Sequence, residues 1–451
     1  MTRDPRGPVL GLTASRLPWA LFAVTCIVYL LTASYGGASG DVVTSNLASW
    51  QLASGTRPYL DQFTYPPLEE HPGRSIWVIV DAAGREIVGR AAGPVLMGVP
   101  AYALAGWFVG PTFSLVPGAA TAAVATALAV ALFASAVLPW LGGKNTVLAA
   151  LALAFATPMW TVAANALWPQ TVSVLGICGM ARAASRQRWW LAGAFGGLAL
   201  SGRFQVAILV AVLCVGLALA RRSPGVALRM ALPSGLAFLA LLPWNRWMYD
   251  SWSPAAYYNP DDIAKYAPRG PLDPVNQLGP WISLDRGILV WTPVILVLLL
   301  VLARQWRRVP DWSLALAAAG VTYTVVETSF IAFPGGDSFY GYRMTLELLV
   351  CLAPAVSLAA LHAGRLTTSM LAPLLTLQLV AMTIGAVNEG LGLEASQAWR
   401  RNSFVDAVFD RPAVGVGTIL VSLLIGLVGR RIWDDPGLRR GPDPGGSGAT
   451  S

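Results

Sequence analysis

Apolar runs long enough to cross a bilayer recur along this chain from Leu17 to Val428. Each needs about 20 residues to span ~30 Å of hydrocarbon as a helix. Backbone in hydrocarbon must satisfy its own hydrogen bonds, which leaves helices or closed barrels, and the alternating strands of outer-membrane barrels are not in this sequence. An all-α, polytopic membrane protein is therefore expected. Only 12% of the 451 residues are charged, about half the share of a soluble globular domain.

About thirteen apolar segments lie between positions 17 and 429. If the N-terminus is inside and every segment crosses, the basic clusters at Lys144, Arg182/Arg186/Arg188, Arg221/Arg222 and Arg304/Arg307/Arg308 all fall outside, against the positive-inside rule. One segment must then fail to cross. Segment 91–110 carries Gly93, Pro94, Gly98 and Pro100, residues expected to break a helix and to suit a re-entrant or interfacial element. Removing it returns the basic loops to the inside. The expected architecture is a transmembrane domain over 1–431 with about twelve spanning helices, both termini cytoplasmic, a long first outer loop over 35–90, and a disordered Gly-, Pro- and Asp-rich tail over 432–451. Multi-pass insertion in the plasma membrane follows. Arg3, Arg6 and Arg16 precede the first run and Ala38, Ser39 and Gly40 follow it, the outline of a signal peptide, but the run is long enough to remain as an anchor.

The net charge of +8 would suggest nucleic acid in a soluble protein. Here the inward bias of arginine accounts for it, and no nucleic-acid partner is expected. Cys26, Cys178, Cys214 and Cys351 all lie in apolar segments, which indicates neither a disulfide framework nor a zinc site.

Chemistry-bearing residues gather in the outer loops. Asp41 stands directly after the first run, ahead of a helix-compatible stretch ending at Gly55 that would lie on the membrane surface. It fits a general base towards a hydroxyl, and equally a cap for a helix starting near Val42. Glu69, Glu70 and His71 could take a divalent cation, although a solvated loop explains them as well. Arg203, Arg286 and Arg343 sit at outer helix ends, against the charge bias. Guanidinium groups there suit a phosphate, while snorkelling or pairing with Asp285, Asp337 and Glu347 is the plainer reading.

Taken in order, these stretches resemble the GT-C superfamily of glycosyltransferases, in particular its protein-mannosyltransferase-like bacterial members. The resemblance runs from about Leu17 to Ala360 through GDVVTSNLASWQLASG, GRAAGPVLMGVPAYALAG, ATPMWTVAANALWPQTVSVL, LAGAFGGLALSGRFQVAIL, LLPWNRWMYDSWSPAAYY, SLDRGILVWTPVILV and PGGDSFYGYRMTLELL. It implies an inverting membrane glycosyltransferase that moves a sugar from a polyprenyl-phosphate donor to an acceptor hydroxyl of an envelope glycan, lipid or protein, at the outer face. It further implies Asp41 as base, Arg203, Arg286 and Arg343 as phosphate or sugar contacts, Asp337 beside them, and Tyr65, Trp168 and Tyr257 as pocket walls. Two departures stand out: Tyr342 occupies the place of a proline before Arg343, and Trp168-Pro169-Gln170 lacks the acidic pair of metal-dependent relatives. No cofactor is indicated by the resemblance, and Glu69/Glu70 remain the only outer alternative for a divalent cation. The Ala-, Arg- and Gly-rich composition fits a high-GC bacterium, for which decaprenyl-phosphate sugars are donors by resemblance. A lipid or solute transporter, and an assembly partner without chemistry, are the competing readings.

Overall fold

The computed structural model describes residues 15–36, 39–60, 68, 76–81, 83–110, 112–259 and 267–410, with scattered positions from 412 to 427. Tyr65, Glu69, Glu70, His71 and the tail over 432–451 lie outside the described residues.

Helices dominate. In chain order they are α1 (Leu17–Thr32), α2 (Gly40–Ala53), α3 (Ala92–Val109), α4 (Val116–Phe155), α5 (Pro169–Ser185), α6 (Trp189–Gly202), α7 (Val206–Ala220), α8 (Pro224–Tyr249), α9 (Pro274–Ile282), α10 (Ile288–Trp291), α11 (Val294–Gln305), α12 (Asp311–Phe330), α13 (Leu346–Ala360), α14 (Arg365–Val387) and α15 (Ser403–Asp410). Among the described residues, three helical stretches are long and apolar enough to cross a membrane: Val116–Phe155, Pro224–Tyr249 and Thr367–Val387. The exposed face of α8 shows what solvent it is built for. Leu228, Leu232, Leu236 and Leu239 form an outward stripe, all about half exposed or more, a surface that water would penalise and hydrocarbon would not.

The bundle core is built from small residues. Ala122, Ala123, Ala127, Ala129, Ala134 and Ala136 of α4 are fully buried, which lets neighbouring helix backbones approach closely, the packing mode available where lipid supplies no hydrophobic drive. α1 lies along α4, and the Tyr29 hydroxyl donates to the Ala154 carbonyl at 2.9 Å. Within α4, Gly142 adopts φ 70°, ψ 173°, a conformation only glycine takes readily. The element is thus two helices meeting just before Lys144, in the gap between the apolar runs 118–140 and 146–164 of the sequence.

Two expectations are corrected. Segment 91–110 is not broken: α3 is continuous from Ala92 to Val109 with Pro100 inside it. Pro94 sits in the first turn, where backbone N–H groups have no helical partner to lose. Gly93 and Gly98 serve close contact, against the Ser201 backbone and the Ser49 side chain. The second correction concerns α2, which does not lie on a surface. Nine of its residues, from Val42 to Gln51, are buried, and its hydroxyls bond within the protein: Thr44 to the Gly40 carbonyl, Ser45 to that of Asp41, and Ser49 to those of Ser45 and Val95. Hydroxyls satisfied in this way make a polar-looking helix fit to bury.

The described residues of the first loop form a folded cap. It also departs from all-α, because Val78–Val80 pairs antiparallel with Glu86–Val88. Asp81 closes the hairpin by accepting from the Ala83 and Arg85 amides at 2.8 and 2.9 Å. Leu47, Leu60, Leu68, Trp77, Val88 and Val95 form a small core of their own beneath it.

Candidate functional site

Four elements meet at Asp41. It is the second residue of α2, inside the helix, whose N-cap is Ser39, so it is not the N-cap of a helix starting near Val42. Its charge in the first turn still complements the helix dipole. The Trp77 indole, at the entry to the hairpin, donates to Oδ1 at 2.8 Å. Arg90, two residues before the start of α3, places Nη2 3.0 Å from Oδ1. Arg343, on the loop between α12 and α13, donates to Oδ2 from 302 positions away. The Asp41 side chain is 20% exposed, those of Arg90 and Arg343 7% and 11%.

Each cation is held from behind. Arg90 donates from Nε to the Thr44 hydroxyl at 2.6 Å, and its backbone amide donates to the Tyr249 hydroxyl, which returns a bond to its carbonyl. The Arg343 guanidinium stacks over the Trp168 ring at 4.7 Å and the Phe339 ring at 5.1 Å, and Nη2 donates to the Gly335 carbonyl. Burial raises the pKa of Asp41, but the Arg90 and Arg343 charges and the bonds from Arg343 and Trp77 outweigh it and hold the carboxyl well below the usual range. Asp41 is ionised at neutral pH and weakly basic while clamped.

The other expected arginines surround the loop that carries Arg343. Arg286 stacks over the same Phe339 ring at 3.9 Å and donates to the carbonyls of Phe339, Gly341 and Leu393. Asp285 balances its charge at 3.1 Å. Arg203 pairs with Glu327 and, at 3.3 Å, with Glu347. Its Nη2 also touches the Met344 sulfur. The structure thus joins Arg343 to Asp41 and sets Arg286 and Arg203 behind the 339–347 segment, each pointing its donors at protein groups. Asp337 accepts from the Ala395 amide at 2.6 Å. Tyr342, in the place of a proline, is buried and exchanges a hydrogen bond with Thr292 at 2.7 Å, so the departure fills the core.

Trp168 lies under Arg343 and meets Phe339 edge-on. Tyr257 packs against Phe204 and Tyr258 and lines a narrow cleft, with no room for a water-sized sphere, together with Ala91, Ala92, Ser201 and Asn245. That cleft adjoins both Arg90 and Arg203 along the chain. Sequence reasoning passed over Arg90 and Trp77. Arg90 carried the same signal as the other three arginines, a cation at an outer helix end; nothing in the sequence marked Trp77. Among the described residues no group of three or more His, Cys, Asp or Glu side chains could hold a metal ion.

Compared with known proteins, the chain matches no family model, no curated protein and no solved structure. The functional reading stands on the residues and their geometry.

Proposed function

We propose that this protein is a membrane glycosyltransferase that moves a sugar from a polyprenyl-phosphate donor to an acceptor hydroxyl with inversion. The observation that carries the reading is the contact of Asp41 with Arg343, an acid-base group and a phosphate-binding cation that only the fold could have brought together. The acceptor O–H gives its proton to the Asp41 carboxylate as its oxygen forms a bond to the anomeric carbon. The bond from that carbon to the phosphate oxygen breaks on the opposite face, and its electron pair leaves with the lipid phosphate. That phosphate passes from one negative charge towards two, and a guanidinium aimed at it stabilises the transition state more than the ground state. In this reading Arg343 meets the phosphate, Arg286 and Arg203 hold its loop in place, and Trp168 and Tyr257 flank the sugar.

The membrane reading goes with it: about twelve crossings, α3 as an interfacial helix, basic loops inside, and the Asp41 cluster at the outer face. The buried Arg203–Glu327–Glu347 group favours a second reading, since ionisable residues deep in a helical bundle also mark ion and solute pathways in transporters. Incubating purified protein with a panel of polyprenyl-phosphate sugars and acceptors separates the two. Transfer predicts release of free lipid phosphate in step with donor consumption; counterflow of an intact substrate in vesicles, without release, would replace the enzyme by a transporter.

A further inference from the structure

The Asp41 cluster holds a surplus of positive charge. Two guanidiniums, Arg90 and Arg343, face one carboxylate, and the fourth member, Trp77, is neutral. Arg286 nearby is matched by Asp285, and Arg203 is shared by two carboxylates, Glu327 and Glu347, so the positive surplus is local to the Asp41 cluster. Both cations also keep unused donors. Arg90 Nη2 is within ion-pair distance of Asp41 but off the axis of a hydrogen bond, and neither it nor Arg343 Nε has a hydrogen-bond partner. Arg90 as a whole is 6% exposed. A buried guanidinium with an idle donor and an unbalanced charge is costly to hold unless an anion completes it.

We infer that Arg90 and Arg343 together form a cradle for one phosphate group, and that the Asp41 carboxylate competes with that phosphate for the same guanidinium donors. The inference rests on the glycosyl-transfer reading and adds to it a new phosphate ligand, Arg90, and an order of events. A phosphodiester resembles a carboxylate in charge and in offering two oxygens to a guanidinium fork. As it settles between Arg90 and Arg343 it draws their donors from Asp41, leaving Trp77 and the α2 first turn as the carboxylate's remaining supports. Asp41 then loses most of what made it a weak base. The clamp keeps the base quiet until a donor is present, which guards against attack on the wrong partner and sets donor binding before acceptor activation.

Equilibrium binding of undecaprenyl phosphate in nanodiscs tests this, with inorganic phosphate and the uncharged polyprenol as parallel probes. Wild type should bind the lipid phosphate well, inorganic phosphate weakly and polyprenol least; inorganic phosphate binding as tightly as the lipid would assign the cradle to a free anion instead of a lipid headgroup and overturn its role for the donor. Asp41→Asn, which removes the competitor, should bind lipid phosphate about tenfold more tightly or better, and Arg90→Gln about tenfold more weakly. If wild type binds and Asp41→Asn binds no more tightly, the competition is refuted while the donor reading stands. If no protein binds lipid phosphate, both fall together. The unaltered protein provides a check that does not depend on the variants folding. With donor as the varied substrate, kcat should show an acid limb at higher pH than kcat/KM, because the first reports the donor complex and the second the clamped free enzyme. Coincident limbs would overturn the release of Asp41.

Discussion

Replacing Arg203 by methionine removes the one cation that two buried carboxylates share. The side chains of Arg203, Glu327 and Glu347 are 6%, 1% and 0% exposed, so water cannot take over the lost pairing. At the 3.3 Å separation from Glu347, one unit pair is worth about 5 kcal/mol at an effective dielectric of about 20. Desolvation of the three groups offsets much of that in the intact protein, but the offset vanishes when only the cation is removed. Breaking a buried pair from one side typically costs ~3–5 kcal/mol, and here the two carboxylates are left facing each other. Arg203→Met should therefore lower unfolding stability in detergent by about 3–5 kcal/mol. The triple change Arg203→Met, Glu327→Gln, Glu347→Gln, which leaves no charge behind, should recover most of it. Denaturant titration followed by circular dichroism reads both. A loss below about 1 kcal/mol for Arg203→Met, the level of an exposed pair, would refute the claim that these charges are locked together inside the bundle.

Gly93→Ala should reduce folded yield, since a Cβ there would come within 2.6 Å of the Ser201 backbone and neither helix can yield cheaply; overpacking of this kind costs ~1–3 kcal/mol, measured as a drop in the thermal midpoint. The stability that Asp41 contributes has a defined pH window. Its pKa is lowered in the folded protein, so the contribution is complete above the unfolded value of about 3.9 and is lost only as pH falls below it. The difference in stability between wild type and Asp41→Asn should stay flat from pH 8 to about pH 5, and a difference that shrinks within that range would contradict the clamp. A cysteine at Lys144 should be silent to an impermeant reagent outside intact cells; labelling there would invert the proposed topology.

The helical bundle was legible because each apolar run has to satisfy its backbone internally, which left one secondary structure for most of the chain. The break at Gly142 was legible too, as the gap between the apolar runs 118–140 and 146–164, in which Lys144 lies. α2 was harder. Its serines and threonines read as a surface helix because hydropathy counts hydroxyls as polar, whereas Thr44, Ser45 and Ser49 each bond to a carbonyl of their own helix. Pro94 and Pro100 read as breakers by residue type; Pro94 falls in the first turn of α3, where no helical hydrogen bond is lost, while the helix runs on past Pro100 in its interior. In the site, Asp41 and Arg343 could be singled out by their places at loop mouths. Their contact could not, because it depends on a cap whose small core, around Leu47 and Trp77, has no periodic signature. Arg90 drew no notice because an arginine at a loop end is common; only the geometry distinguishes one that reaches a carboxylate.

Sugar transfer depends most on Asp41 as the group that takes the proton. Asparagine at this position is nearly the same shape, can still accept from Trp77, and cannot act as base. In a preparation of Asp41→Asn that binds lipid phosphate, sugar transfer from a polyprenyl-phosphate donor should fall by ~10²- to 10⁴-fold. Transfer above about a tenth of the wild-type rate, less than the weakest loss expected for a missing base, would contradict the account.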